Sequence, residues 1–129
     1  MTNKLQTTKL PPSFSALVQE FFSHYLVDQR ALSPHTIAAY RDTFMLFLAF
    51  TQKRIGKSPT ELKLTDINAE LVLEFLDYLA QERHNTVRSR NARLAALRAF
   101  LKFASRRDMT SLHIITQALG VPMKRYERS

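Results

Sequence analysis

Between Phe14 and Leu119 the large apolar side chains return every three or four positions, and no stretch alternates apolar and polar residues as a half-buried strand requires. With only 2 Gly and 5 Pro in 129 residues, the chain has few places to turn sharply. Long helices joined by short connections are the architecture this pattern allows. An apolar fraction of 45% supplies a core for one domain of this length. The expected fold class is all-α, a compact bundle of four to five helices.

Pro11-Pro12-Ser13 closes a polar leader, residues 1–12, and Ser13 is placed to cap the first helix. From there Phe14, Leu17, Val18, Phe21, Phe22, Tyr25 and Leu26 make one apolar face to about Gln29. Ser33-Pro34 starts a second helix, since serine caps and proline is pre-set for the first helical position. Its inward stripe is Ile37, Tyr40, Phe44, Phe47, Leu48 and Thr51, to about Arg54. Met45, Leu46 and Phe50 project off that stripe, so the helix is either central to the bundle or carries an interface.

Gly56-Lys-Ser-Pro59 breaks the pattern, and Lys63-Leu64-Thr65-Asp66 leads into a third helix that holds Leu71, Val72, Phe75, Leu76 and Leu79 and ends near Gln81. Glu70, Glu74 and Asp77 on its other side read as a solvated face rather than a catalytic pair. Asn85-Thr86 opens a fourth helix. Leu112, Ile115, Ala118 and Leu119 make a short fifth, which Gly120 stops. Residues 13–119 are thus the expected domain, and 120–129 a polar strip without a core of its own.

The net charge of +8 is not spread evenly. Eight cations, Arg83, Arg88, Arg90, Arg93, Arg98, Lys102, Arg106 and Arg107, fall between positions 83 and 107 with no acidic residue among them. The other 104 residues hold 11 basic and 11 acidic side chains. On the fourth helix Val87, Arg90, Leu94, Leu97, Leu101 and Ala104 lie within about 100° of one another, with Arg90 near the helix start, where its long side chain can snorkel outward. Arg88, Asn91, Ala95, Arg98, Lys102 and Arg106 group within about 80° on the opposite side.

Charge concentrated in this way attracts a polyanion: nucleic acid, an anionic membrane surface or an acidic protein. A membrane surface fits poorly, because the chain has no Trp and no aromatic run beside the basic face. The longest apolar run, Phe44 to Phe50, is far shorter than the roughly 20 residues of a membrane span. A helix anchored by one apolar side, with guanidinium and amide groups on the other, suits a DNA groove. The small Ala95 within the basic stripe permits close approach.

The absence of Cys excludes a disulfide framework, a Cys-ligated zinc and a thiol nucleophile, and makes a reducing, cytoplasmic setting the expectation. The first ten residues have no apolar core of a secretory signal. His24, His35, His84 and His113 stand in separate elements, and Glu20 with His24 makes only two ligands of a metal site. There is no Gly-rich phosphate loop and no nucleophile elbow. The expectation is a chain that needs no cofactor and carries no active site of its own.

Three segments match something more specific. Leu32-Ser33-Pro34-His35-Thr36-Ile37-Ala38-Ala39-Tyr40-Arg41-Asp42, with Phe47 after it, resembles the signature of tyrosine recombinases, the phage-integrase and Xer-like enzymes. Leu64-Thr65-Asp66-Ile67 and the run from Asn91 to Phe103 are similar, in the same order, to that family's core-binding domain. The resemblance covers roughly residues 14 to 123. It implies a SAM-like, four-to-five-helix domain that clamps duplex DNA from one side while a following catalytic domain grips the other. It implies further that the helices beginning at Pro34 and Thr86 lie against DNA, that recombinase protomers assemble on the recombination site, and that residues 120–129 begin a linker to that catalytic domain.

Candidate DNA contacts are then His35, Thr36, Arg41, Arg88, Arg90, Asn91, Arg93, Arg98, Lys102 and Arg106. The family's catalytic set of Tyr, two Arg, Lys and a His-x-x-Arg box is not matched here. No His is followed by Arg three residues later, and Tyr25, Tyr40 and Tyr78 sit on or near apolar stripes. Tyr126 has no such box around it. Two other readings remain: a stand-alone accessory DNA-binding protein, and a helical adaptor whose contact surface is Met45, Leu46, Phe50 and the last helix.

Overall fold

Ser13 opens the first helix by accepting the Ala16 N–H on its Oγ at 3.1 Å, in a computed structural model that describes residues 12–125. Helix α1 (Phe14–Glu20) runs on without a break as a π-helical stretch, Phe21–Gln29. The apolar spacing predicts one regular helix here, and the widened second half is a departure from it. Residues five apart share a face when bonds run from i to i+5. Phe21 and Leu26 are accordingly the two fully buried residues of the stretch, while Ser23 and His24 face out.

The stretch closes through Ala31, whose φ of 51° lies in the left-handed region, and the Leu32 N–H reaches back to the Leu26 carbonyl at 3.0 Å. Alanine pays a steric cost in that conformation that glycine does not. Ala31 is exposed, so its methyl group packs little. Ala31→Gly is therefore expected to stabilise the domain by about 1 kcal/mol, read as a higher urea midpoint at unchanged slope. A lower midpoint would mean that the methyl contributes more than the strain costs.

Ser33 caps α2 (Pro34–Ile55) through the Thr36 N–H at 3.1 Å, and Gly56, with φ 73°, ends it in a conformation where a β-carbon is strained. Ahead of α3 (Ala69–Glu82) the cap is Asn68, which accepts the Leu71 N–H at 2.8 Å. Asp66 instead takes Lys57 on both carboxylate oxygens at 3.0 Å and the Lys63 N–H at 2.9 Å. That knot holds a single 3-10 turn, Leu64–Asp66, which drives Leu64 and Ile67 into the core. On the outer side of α3, Glu74 accepts from Arg54 at 2.9 Å, a bond that raises the guanidinium pKa above its usual value. Glu70 and Asp77 are exposed.

Helix α4 (Val87–Ser105) begins at Thr86, whose hydroxyl accepts the Ser89 N–H at 3.0 Å. It is the central element. The stripe expected from its spacing is buried except for half-buried Val87, and so are Ala96, Phe100 and Phe103, which widens the buried arc to about 180°. The extra faces are taken by α1 and its π-helical extension: Phe14 and Phe21 set their rings 5.7 and 5.4 Å from Phe100, and Tyr25 lies 4.8 Å from Phe103. After a 3-10 turn held by Asp108, α5 (Leu112–Leu119) packs on α3 and α4. No strand occurs among the described residues.

The fold does not end at Leu119. Val121 is buried with the core, and the residues after it lie against α4 up to Lys124. Residues 1–11 and Tyr126 lie outside the described residues.

Candidate nucleic-acid interface

Because α4 is buried over most of its circumference, only a narrow side is left open, and that side is basic. Arg88, Lys102 and Arg106 are exposed along it, with Arg98 half-buried beside them. Next to this strip a groove of about 420 Å³ runs between α2 and α4. His35, Thr36, Ala39, Tyr40, Asp42 and Thr43 line it from α2; Ser89, Ala92, Arg93 and Ala95 line it from α4. Small residues on both walls keep the backbones of the two helices within reach of anything laid along the groove.

The floor of the groove is braced by Arg93. Its Nη1 donates to Asp42 Oδ2 at 3.1 Å and to Thr43 Oγ1 at 3.1 Å, joining α4 to α2. Asp42 is 64% exposed, so this contact neutralises the one carboxylate that lines the groove. Asp42 closes the motif that begins at Leu32, and Tyr40 of the same motif packs over Phe21. Ser89, Ala92, Ala39 and Thr43 were not singled out by charge or spacing. Only the packing of α2 on α4 makes them neighbours.

Other candidates are placed differently. Thr36 serves the start of α2 by accepting the Ser33 hydroxyl at 3.1 Å. Arg41 stands over the Phe22 ring at 5.8 Å, off the groove. Arg90 does not snorkel out: it is 7% exposed, and its Nη1 donates to the Pro122 carbonyl and to Asn91 Oδ1, each at 3.2 Å. Asn91 is also buried, although helical spacing puts it on the basic side. The residues after Val121 cover both. Glu20 and His24 are each engaged elsewhere, Glu20 with Arg107 at 3.1 Å and His24 with the Ser23 hydroxyl at 2.9 Å. Tyr25, Tyr40 and Tyr78 pack on aromatic neighbours, as their stripes imply.

The family model for the phage integrase N-terminal SAM-like domain matches residues 18–108, which take in α2, α3, α4 and the groove. The chain belongs to that family. This integrase-type domain is 39% identical over 117 residues to the integrase/recombinase y4rC of Sinorhizobium fredii, covering 91% of the chain and 35% of that protein. It is 38% identical over 109 residues to y4rD of the same organism, covering 84% of the chain and 39% of the relative. The tyrosine recombinase XerC of Caldanaerobacter subterraneus is 29% identical over 131 residues, 92% of the chain and 36% of the relative. The chain thus spans a little over a third of the length of these relatives. No solved structure gives a match.

Proposed function

We propose that this domain binds duplex DNA as the core-binding part of a tyrosine site-specific recombinase, with strand exchange performed by a separate catalytic domain. The open side of α4 and the groove between α2 and α4 meet the DNA. Arg88, Arg98, Lys102 and Arg106 contact phosphates, and His35 and Thr36 approach from α2. Arg93 braces the groove, and Arg41 stands off it over Phe22. Arg90 and Asn91 drop out of the contact set because they are turned inward. The observation that carries this reading is that the segment holding all the surplus charge is centred on the helix with one narrow open side, and that side is cationic. Other recombinase protomers on the same site are the protein partners, and the setting is the cytoplasm. Among the described residues no helix is long and apolar enough to cross a membrane.

The adaptor reading keeps little of its surface on α2. Phe50 is packed 5.6 Å from Phe75 and 5.2 Å from Tyr78, and Leu46 is half-buried, so of the three α2 side chains expected to form it only Met45 is open, with Leu112 exposed on the last helix.

Fluorescence anisotropy with labelled duplex DNA across a salt series tests the proposal. The four phosphate contacts of α4 and its end contribute about −3.6 to the log–log slope, at about −0.9 each. A chain that binds no duplex at low salt, or binds with a flat slope, is not a DNA-binding domain of this kind.

A further inference from the structure

Asn91 holds a single residue of the C-terminal strip by both of its peptide groups. Its Nδ2 donates to the Lys124 carbonyl at 2.8 Å and its Oδ1 accepts the Lys124 N–H at 3.0 Å. A primary amide carries one acceptor and a donor side by side, so it pairs with main chain much as a neighbouring strand does. Arg90 adds a third bond, to the Pro122 carbonyl, and Val121 anchors the strip in the core. Among the described residues Arg90 has no carboxylate partner, so its buried charge is satisfied only by carbonyl oxygens. Every polar bond of the clasp on the strip is to backbone, which leaves Met123 42% exposed and the Lys124 and Arg125 side chains open to solvent.

The geometry points to Arg90 and Asn91 as a main-chain-binding clasp that lays residues 122–124 along the edge of the basic side of α4, so that Lys124 and Arg125 extend the DNA-contacting surface. Asn91 lies three residues after Arg88 and four before Ala95, on the turn that borders that side. Two cations distant in sequence from the charged segment are thereby brought beside it. The DNA part of this inference rests on the proposed function; the clasp does not.

Limited trypsin digestion reads the clasp without DNA. Lys124 and Arg125 are cleavage sites, and a protease must lift residues on both sides of the bond it cuts. Asn91→Ala is expected to speed cleavage there about tenfold, whereas Met123→Ala leaves it unchanged. Equal rates in the native chain and Asn91→Ala would overturn the clasp. Should Asn91→Ala fail to fold, Lys124→Pro removes the N–H from the strip side, and cleavage after Arg125 gives the same reading. For the DNA part, Lys124→Ala/Arg125→Ala is expected to make the salt slope shallower by about 2. An unchanged slope in a chain that binds duplex overturns that part, while absence of any duplex binding by the native chain overturns the proposed function and with it this extension.

Discussion

Phe21→Ala is expected to remove a large share of the stability of the domain. The ring is fully buried at the end of α1, where the backbone passes into its π-helical stretch. It lies 5.4 Å from both Phe100 and Phe103 of α4, 6.2 Å from Phe44 and 6.5 Å from Tyr40 of α2, and 5.2 Å from Phe22. One side chain therefore ties its own helix to the two elements that set the groove. Truncating a buried Phe to Ala costs about 3–5 kcal/mol, against about 5–15 kcal/mol for a whole domain. Urea unfolding followed by circular dichroism should show the midpoint falling by about a third or more at unchanged slope. Phe22→Ala, at a half-buried ring on the same stretch, serves as the comparison and should lose clearly less. A loss below about 1.5 kcal/mol for Phe21→Ala would mean that the core repacks around the gap.

The second large effect concerns DNA. Arg88→Glu/Arg98→Glu/Lys102→Glu is expected to lower duplex affinity by at least about 100-fold at 0.1 M salt and to make the salt slope shallower by about 3. The substitutions replace attraction by repulsion on the one open side of α4. A matching reversal elsewhere, Arg30→Glu/Lys53→Glu/Lys63→Glu, at three exposed positions, changes the net charge by the same amount but leaves α4 as it is, and should cost far less. Because Arg98 is half-buried, Arg98→Gln in the same triple guards against a loss caused by unfolding. Equal losses in the two reversals would reduce the effect to net charge and remove α4 from the interface.

Much of the architecture was legible because the signals that write it are local. Ser13, Ser33 and Thr86 cap the helices they precede, and Gly56 and Gly120 follow helix ends. The exception among the caps is instructive. Asn68, to which the sequence reading assigned no role, caps α3, while Asp66 in the loop before it is held by Lys57, nine residues back. The π-helical stretch escaped because apolar residues at 14, 17, 18, 21, 22, 25 and 26 suit a regular helix equally well. What selects the wider winding is the demand of α2 and α4 that Phe21 and Leu26 face inward together.

The site was half legible on the same terms. Charge arithmetic located the segment, and wheel geometry located the side of α4 that faces out at Arg88, Lys102 and Arg106. Neither could know that Pro122 and Lys124 would return to cover Arg90 and Asn91, more than thirty residues from either. Nor could they show that Asp42 would be met by Arg93 across fifty-one positions. Local signals were enough for an all-helical chain, for its helix boundaries to within a turn or so, and for one segment carrying all the surplus positive charge. Which of those cations face solvent followed from long-range packing alone. A side chain's propensity and periodicity are properties of its near neighbours, while its burial and hydrogen-bond partners are set by whatever distant segment packs over it.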